Sequence, residues 1–157
     1  MLPAGRTLRA RRFAPVHLAP LGSTGTAADT FDANGDGELN LMEFATGKNP
    51  NAATTATPVL VKNGATLEFT YTRSLAAMAD NVTFAVEWRD DLVTGAWSNA
   101  GVTEQILTNN GTVQTITASV AAGFPTRFLH LKVTKPCAFS LLPNRACCKR
   151  RAFIWVG

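Results

Sequence analysis

Hydrophobic and polar residues alternate with a period of two through most of the middle of the chain, and a helical period occurs in one short stretch. Leu67, Phe69 and Tyr71 alternate with Glu68, Thr70 and Thr72, as in a strand with one buried face and one wet face. A shorter strand, Val59 to Lys62, precedes it across the turn Asn63-Gly64, so the two predict a hairpin. Val82, Phe84, Val86 and Trp88 alternate with Thr83, Ala85, Glu87 and Arg89, and Trp97 anchors the segment that follows. Val102 to Thr108 and Thr112 to Val120 flank Asn109-Asn110-Gly111, residue types that accept the positive φ of a hairpin turn. Leu129, Leu131 and Val133 alternate with Phe128, His130 and Lys132 in a last strand. Six or seven short strands between Pro58 and Pro136, with no helix between them, predict a mainly β fold, a small antiparallel β-sandwich.

The helical period falls on Leu39, Met42 and Ala45 or Thr46, with Gly47 placed as a helix stop and Pro50 beyond it. Twelve residues overlap the start of this helix, Asp32 to Glu43, reading DANGDGELNLME. They fit the EF-hand calcium-loop template D-x-[DN]-x-[DN]-G-x5-E. Asp32, Asn34 and Asp36 occupy loop positions 1, 3 and 5, where short oxygen-bearing side chains converge on a hard cation about 2.3 to 2.6 Å away. Gly37 permits the sharp reversal, and Glu38 at position 7 needs to offer only its backbone carbonyl. Leu39 faces the core, Asn40 ligates directly or through a water, and Glu43 closes the shell with both carboxylate oxygens. A cluster of Asp, Asn and Gly is also what an ordinary turn uses. Five specified positions at this spacing arise by accident less than about once in a thousand chains of this length. Pro20, Gly22 and Gly25 leave no room for a long entering helix, so only half of the EF-hand helix pair is expected.

Charge divides the chain further. The net charge of +4 hides four arginines and no acid in residues 1–28, all eleven acids against four bases in residues 29–104, and seven bases and no acid in residues 105–157. The expected organisation is a basic, disordered leader (1–28), the calcium loop and short helix (29–51), a small-residue linker (52–57), the sandwich (58–136) and a basic, cysteine-containing disordered tail (137–157). Basic ends invite nucleic acid through counterion release, but no stacking platform or reading helix accompanies them, so nucleic-acid binding is not expected. The leader is a poor signal peptide, its apolar stretch being broken by Pro15, His17 and Pro20. No run approaches the 18 or so apolar residues of a membrane span. Cys137, Cys147 and Cys148 lie beyond the sandwich and cannot staple it; with no C-x-x-C pair or nearby His they do not make a zinc site.

A loop with an exit helix and no entry helix resembles the repeat of dockerins and, more loosely, the calcium loops of thrombospondin type 3 repeats. This chain has one loop where dockerins carry two, so the resemblance implies calcium binding and does not carry over cohesin docking. The order LEFTYTRS (Leu67 to Ser74), FAVEWRDDL (Phe84 to Leu92), Trp97 and RFLHLKV (Arg127 to Val133) looks like the C-terminal module of large secreted proteins of planctomycete and verrucomicrobial bacteria. In that family the module commonly follows a segment of the form DxDGxxNLxEYAxGxDP, here DANGDGELNLMEFATGKNP. The resemblance covers roughly Asp29 to Pro136 and implies an extracellular or cell-surface accessory domain without catalysis. Family members end soon after the last strand, whereas this chain continues from Pro136 without strand alternation, which suggests a fragment or a shifted reading frame around a genuine core.

No constellation meets the requirements of an enzyme site. His17 lies in the leader, and His130 is expected to be an ordinary surface residue on the outer face of its strand. Glu87 and Asp90-Asp91 sit at a strand end and its turn, where acids are solvated or hydrogen-bonded, and two glycosidase carboxyls would have to flank a cleft about 5 to 9.5 Å apart. Trp88 is expected in the core. The expected function is calcium binding by Asp32, Asn34, Asp36, Glu38, Asn40 and Glu43 in a structural or attachment module, with a parent protein, a cell-surface component or a glycan as partner. A small sandwich without a disulfide is near the size at which a core alone is marginal, so a metal has a clear physical role. Three carboxylates in an unpaired loop predict an affinity on the order of 10⁻⁴ to 10⁻³ M. The alternative is a calcium-dependent, lectin-like carbohydrate-binding module. A regulatory switch would need a paired loop or an apolar groove exposed on binding.

Overall fold

In the computed structural model, residues 28–123, 126–136 and 150–156 are described. The expectations for the leader, His17 and the three cysteines lie outside them. Helix α1 (Asn40–Thr46) is followed by strands β1 (Val59–Asn63) and β2 (Thr66–Ser74), a second short helix α2 (Leu75–Ala79), and strands β3 (Thr83–Arg89), β4 (Thr103–Asn109), β5 (Val113–Ala121), β6 (Phe128–Lys135) and β7 (Arg150–Val156). The strands make two antiparallel sheets, one ordered β1-β2-β5-β4 and the other β3-β6-β7. The fold is mainly β and sandwich-like, as the alternation predicts. Phe69 and Tyr71 of β2, Ile116, Ala118 and Val120 of β5, Val86 of β3, and Leu129, Leu131 and Val133 of β6 form one buried cluster. Residues of both sheets therefore share a single core.

Helix α1 belongs to that core. Leu41, Met42 and Ala45 are buried in the same cluster, and the Thr72 hydroxyl donates to the carbonyl of Thr46 at 2.8 Å, fastening the helix end to β2. The helix stops where Gly47 takes φ +80°, with Gly47 N–H donating to Phe44 O and Lys48 N–H to Glu43 O, the paired bonds of a Schellman cap. At the other end of the segment Lys135 Nζ donates to Asp29 Oδ1 at 3.1 Å, both side chains buried, which ties the approach to the loop to the end of β6.

Three features depart from the sequence reading. A helix does lie among the strands: Ser74 caps α2 by accepting from Ala77 N–H, and Leu75–Ala79 are mostly strong helix formers that the strand pattern overshadowed. Sheet structure also resumes beyond Pro136, where β7 pairs with β6 from Leu129↔Val156 to Lys135↔Arg150. Its alternation is present as burial, with Ala152 inward between exposed Arg151 and Phe153, but residues 152–156 read AFIWV, apolar at every position, so no polar alternation marks the strand. Finally, His130 is 2% exposed. It does face away from Leu129 and Leu131, but Trp97 (ring centroids 3.9 Å apart) and Phe153 (5.0 Å) cover it, and neither is near it in sequence.

Gly47 is required twice over, by its left-handed φ and by space, since a Cβ there would sit 2.6 Å from Val113 Cγ2. Gly47→Ala is expected to lower stability by about 1–3 kcal/mol, seen as a lower urea midpoint with an unchanged m-value.

Candidate metal centre

The loop from Asp32 to Glu43 is wound by its own side chains. Gly35 and Gly37 take φ +76° and +94°, conformations that only glycine enters without strain. The Asp32 carboxylate accepts from Gly35 N–H (2.7 Å), Gly37 N–H (2.8 Å) and Asp36 N–H (3.3 Å). The bond from Gly37, reinforced by its neighbours, holds the Asp32 carboxyl below its ordinary range against a smaller desolvation effect. Asn34 Oδ1 accepts from Asp36 N–H and Asp36 Oδ1 from Glu38 N–H, each at 3.0 Å.

The interior of the loop is held by the Asn34 amide. Its two hydrogens are shared among three acceptors within 3.1 Å of Nδ2: Asp36 Oδ2 (2.9 Å), Glu43 Oε1 (3.1 Å) and, from beyond the loop, Ala52 O (2.7 Å). Glu43 is fully buried on α1, and its Oε2 has no hydrogen-bond partner among the described residues. Burial, with the nearby negative charges of Asp36 and Glu38 added, pushes the Glu43 carboxyl up to about 7. Glu38, expected to contribute only a carbonyl, also uses its side chain: Oε2 accepts from Ala56 N–H at 2.8 Å, and burial raises its carboxyl above the ordinary range.

The structure thus brings carboxylate oxygens of Asp36 and Glu43 within 3.1 Å of Asn34 Nδ2, while Asp32 is engaged by backbone amides. Asn40 is placed elsewhere. Its Oδ1 accepts from Ala33 N–H (3.1 Å) and its Nδ2 donates to Ala28 O (2.8 Å), so at 2% exposure it clamps the chain entering the loop. Among the described residues no group of three or more His, Cys, Asp or Glu side chains is arranged to hold a metal ion; the loop's carboxylates instead lean on backbone amides and on Asn34. The set is nevertheless all oxygen, the chemistry that suits hard cations. The buried Glu43 Oε2 is the observation by which these residues fit one, because an unmatched carboxylate oxygen is costly to bury without a positive charge. Sequence reasoning missed the linker. Residues 52 and 56 touch the loop through backbone atoms alone, and the only trace in the sequence is the short Asn49-Pro50 turn that brings them back.

A second cluster lies on the outer face of the three-stranded sheet. Glu87 Oε2 pairs with His130 Nε2 at 3.0 Å and Glu87 Oε1 with Lys132 Nζ. Burial alone would raise the Glu87 carboxyl, but the bonds from Lys132 and His130 outweigh it and hold it below its usual range. Burial lowers His130 against the pull of Glu87. With Trp97, Arg151 and Phe153 these residues line an open cavity of about 420 Å³. The acids at the end of β3 are engaged separately. Asp90 pairs with Arg127 (2.7 and 3.0 Å), whose guanidinium lies 3.7 Å from the centre of the Trp88 ring, and Asp91 accepts from Val93 N–H. Trp88 is accordingly half-buried at the core's edge, with its Nε1 donating to Ala100 O.

No family model matches the chain, and no curated protein matches it.

A carboxyl raised from 4.5 to about 7 on folding binds more protons in the folded state than in the unfolded state across that window. In chelator the protein is therefore expected to lose stability as pH rises from about 5 to about 8 through this group. Depression of His130 acts in the opposite direction over part of the range, so the measurement is the difference between wild type and Glu43→Gln. In urea titrations the variant should gain on the wild type as pH rises.

Proposed function

We propose that this chain binds calcium through the segment Asp32 to Glu43 and serves as a structural or attachment module of a secreted or cell-surface bacterial protein. The observation that carries the reading is Glu43, a fully buried carboxylate with one oxygen unmatched beside Asp36. A cation there removes the cost of burying that charge. Asp32, Asp36 and Glu43 hold the ion by side-chain oxygens, Asn34 joins them once its amide turns over to present Oδ1 in place of Nδ2, and the Glu38 carbonyl takes its usual loop position. The ion's chemistry is electrostatic and structural. Because α1 carries Glu43 on one face and Leu41, Met42 and Ala45 on another, whatever steadies the carboxylate steadies the contact between the loop and both sheets. That role calls for no catalytic group.

Calorimetric titration of calcium into the full chain is expected to show one ion bound, with a dissociation constant on the order of 10⁻⁴ to 10⁻³ M. At tenfold excess over that constant the gain is about 1.4 kcal/mol, or a melting point higher by roughly 5 °C. Glu43→Gln should lose most of both effects. Absence of binding by the wild type would sink the reading.

The second reading, a carbohydrate-binding module, is favoured by the cavity beside His130, where the Trp97 and Phe153 rings stand with Lys132 and Arg151. Lys132 is paired with Glu87 and the Trp97 ring lies against His130, so the exposed Phe153 ring with Arg151 beside it is the part that suits a sugar ring bearing a carboxylate. On this reading Phe153→Ala would weaken retention of the protein in gels containing a polyuronate at least tenfold and leave calcium binding unchanged, a separation expected because the two sites share no residue.

A further inference from the structure

The oxygen cluster in the loop is larger than the loop. An Asn amide nitrogen carries two hydrogens, yet Asn34 Nδ2 has three acceptors within 3.1 Å: Asp36 Oδ2, Glu43 Oε1 and Ala52 O. Glu43 Oε2 adds a buried acceptor with no partner among the described residues. The site therefore has more acceptors than its own side chain can satisfy, and one of them is a backbone carbonyl from outside the twelve-residue loop. Meanwhile the loop's ninth residue is committed in another direction, both ends of the Asn40 amide being used on Ala33 and Ala28. Turning Asn40 toward the loop centre would strand a backbone N–H and a backbone carbonyl at once, each costly to leave unmet when buried.

We infer that the backbone carbonyl of Ala52 is a ligand of the cation, supplied by the linker in the place that the loop pattern gives to Asn40. This rests on the calcium reading above. The linker is built to present that carbonyl. Asn49 Oδ1 accepts from Asn51 N–H and Asn49 O from Ala52 N–H, each at 3.0 Å, with Pro50 buried between them. Thr54 Oγ1 steadies the same carbonyl at 3.3 Å, and four residues past it Ala56 N–H is held by Glu38 Oε2. A carbonyl has two lone pairs, and with Thr54 on one of them, the direction that meets Asn34 Nδ2 in this structure is the one the ion takes. The ion then joins three separate pieces of chain: the loop, α1, and the linker that leads into β1.

The test needs no substitution. In full-length protein labelled with ¹³C and ¹⁵N, calcium is titrated while the Ala52 carbonyl is read through the Ala53 amide, alongside the Glu43 side-chain carboxyl and the Asn40 side-chain amide. The expected result is a downfield shift of the Ala52 carbonyl that saturates together with the Glu43 signal, and no comparable shift at Asn40. If Glu43 responds and Ala52 does not, the linker ligand is wrong and calcium binding stands; if neither responds, both fall. Terbium luminescence lifetimes in water and in heavy water provide the second readout. Loosening the turn with Asn49→Ala and Pro50→Ala together should leave the ion one additional bound water and reduce affinity roughly tenfold. An unchanged water count on a terbium-loaded variant would overturn the assignment.

Discussion

A helix of seven residues does not hold itself together in water, because too few hydrogen bonds form to offset the cost of nucleation. Helix α1 therefore depends on the burial of Leu41, Met42 and Ala45 among strands of both sheets. Glu43 is carried inside on the same short helix, at 0% exposure, on a face that the Asn34 amide closes. The rest of the segment follows from this constraint. The Asn34 amide turns inward to meet the carboxylate, the linker folds back over it, and Glu38 holds the linker. What resembles a surface loop attached to a sandwich is one corner of the sandwich.

Two kinds of electrostatic contact flank this corner. Asp29 and Lys135 form a buried pair at 3.1 Å with a charge of each sign. Replacing a buried pair by apolar residues often costs nothing, whereas removing one partner costs several kcal/mol, because a buried charge is then left unmatched. In the loop the balance is different, because the acids outnumber any nearby base. Mutual repulsion among Asp32, Asp36, Glu38 and Glu43 is offset by backbone N–H groups turned toward Asp32 and Asp36, and what is left pushes the buried Glu43 carboxyl up to about 7.

Legibility in the sequence followed polar alternation and chain distance. Phe69, Tyr71, Leu129, Leu131 and Val133 alternate with polar residues, and their strands and buried face could be read directly, though not which strands share a sheet. Strand β7 could not be read, because AFIWV (residues 152–156) is apolar on both faces and shows no alternation. The surface placement expected for His130 failed for a different reason: strand alternation states which face a side chain takes, but not whether Trp97 and Phe153 will come from elsewhere to cover it. At the loop, the spacing named the oxygen-bearing residues. It could not say that Asn40 would turn to Ala28 and Ala33, or that a linker of small residues would return. A backbone carbonyl belongs to every residue and leaves no mark on composition.

The buried contact between Asp29 and Lys135 closes a span of 106 residues. A chain emerging from its N-terminal end presents the loop and α1 long before β6 exists to receive them, and the apolar side of the helix has no lasting surface to pack on in the interval. Topology of this kind slows folding, because the entropy of closing a long loop must be met before the contacts that reward it can form. A segment made before every strand is thus among the last to be secured.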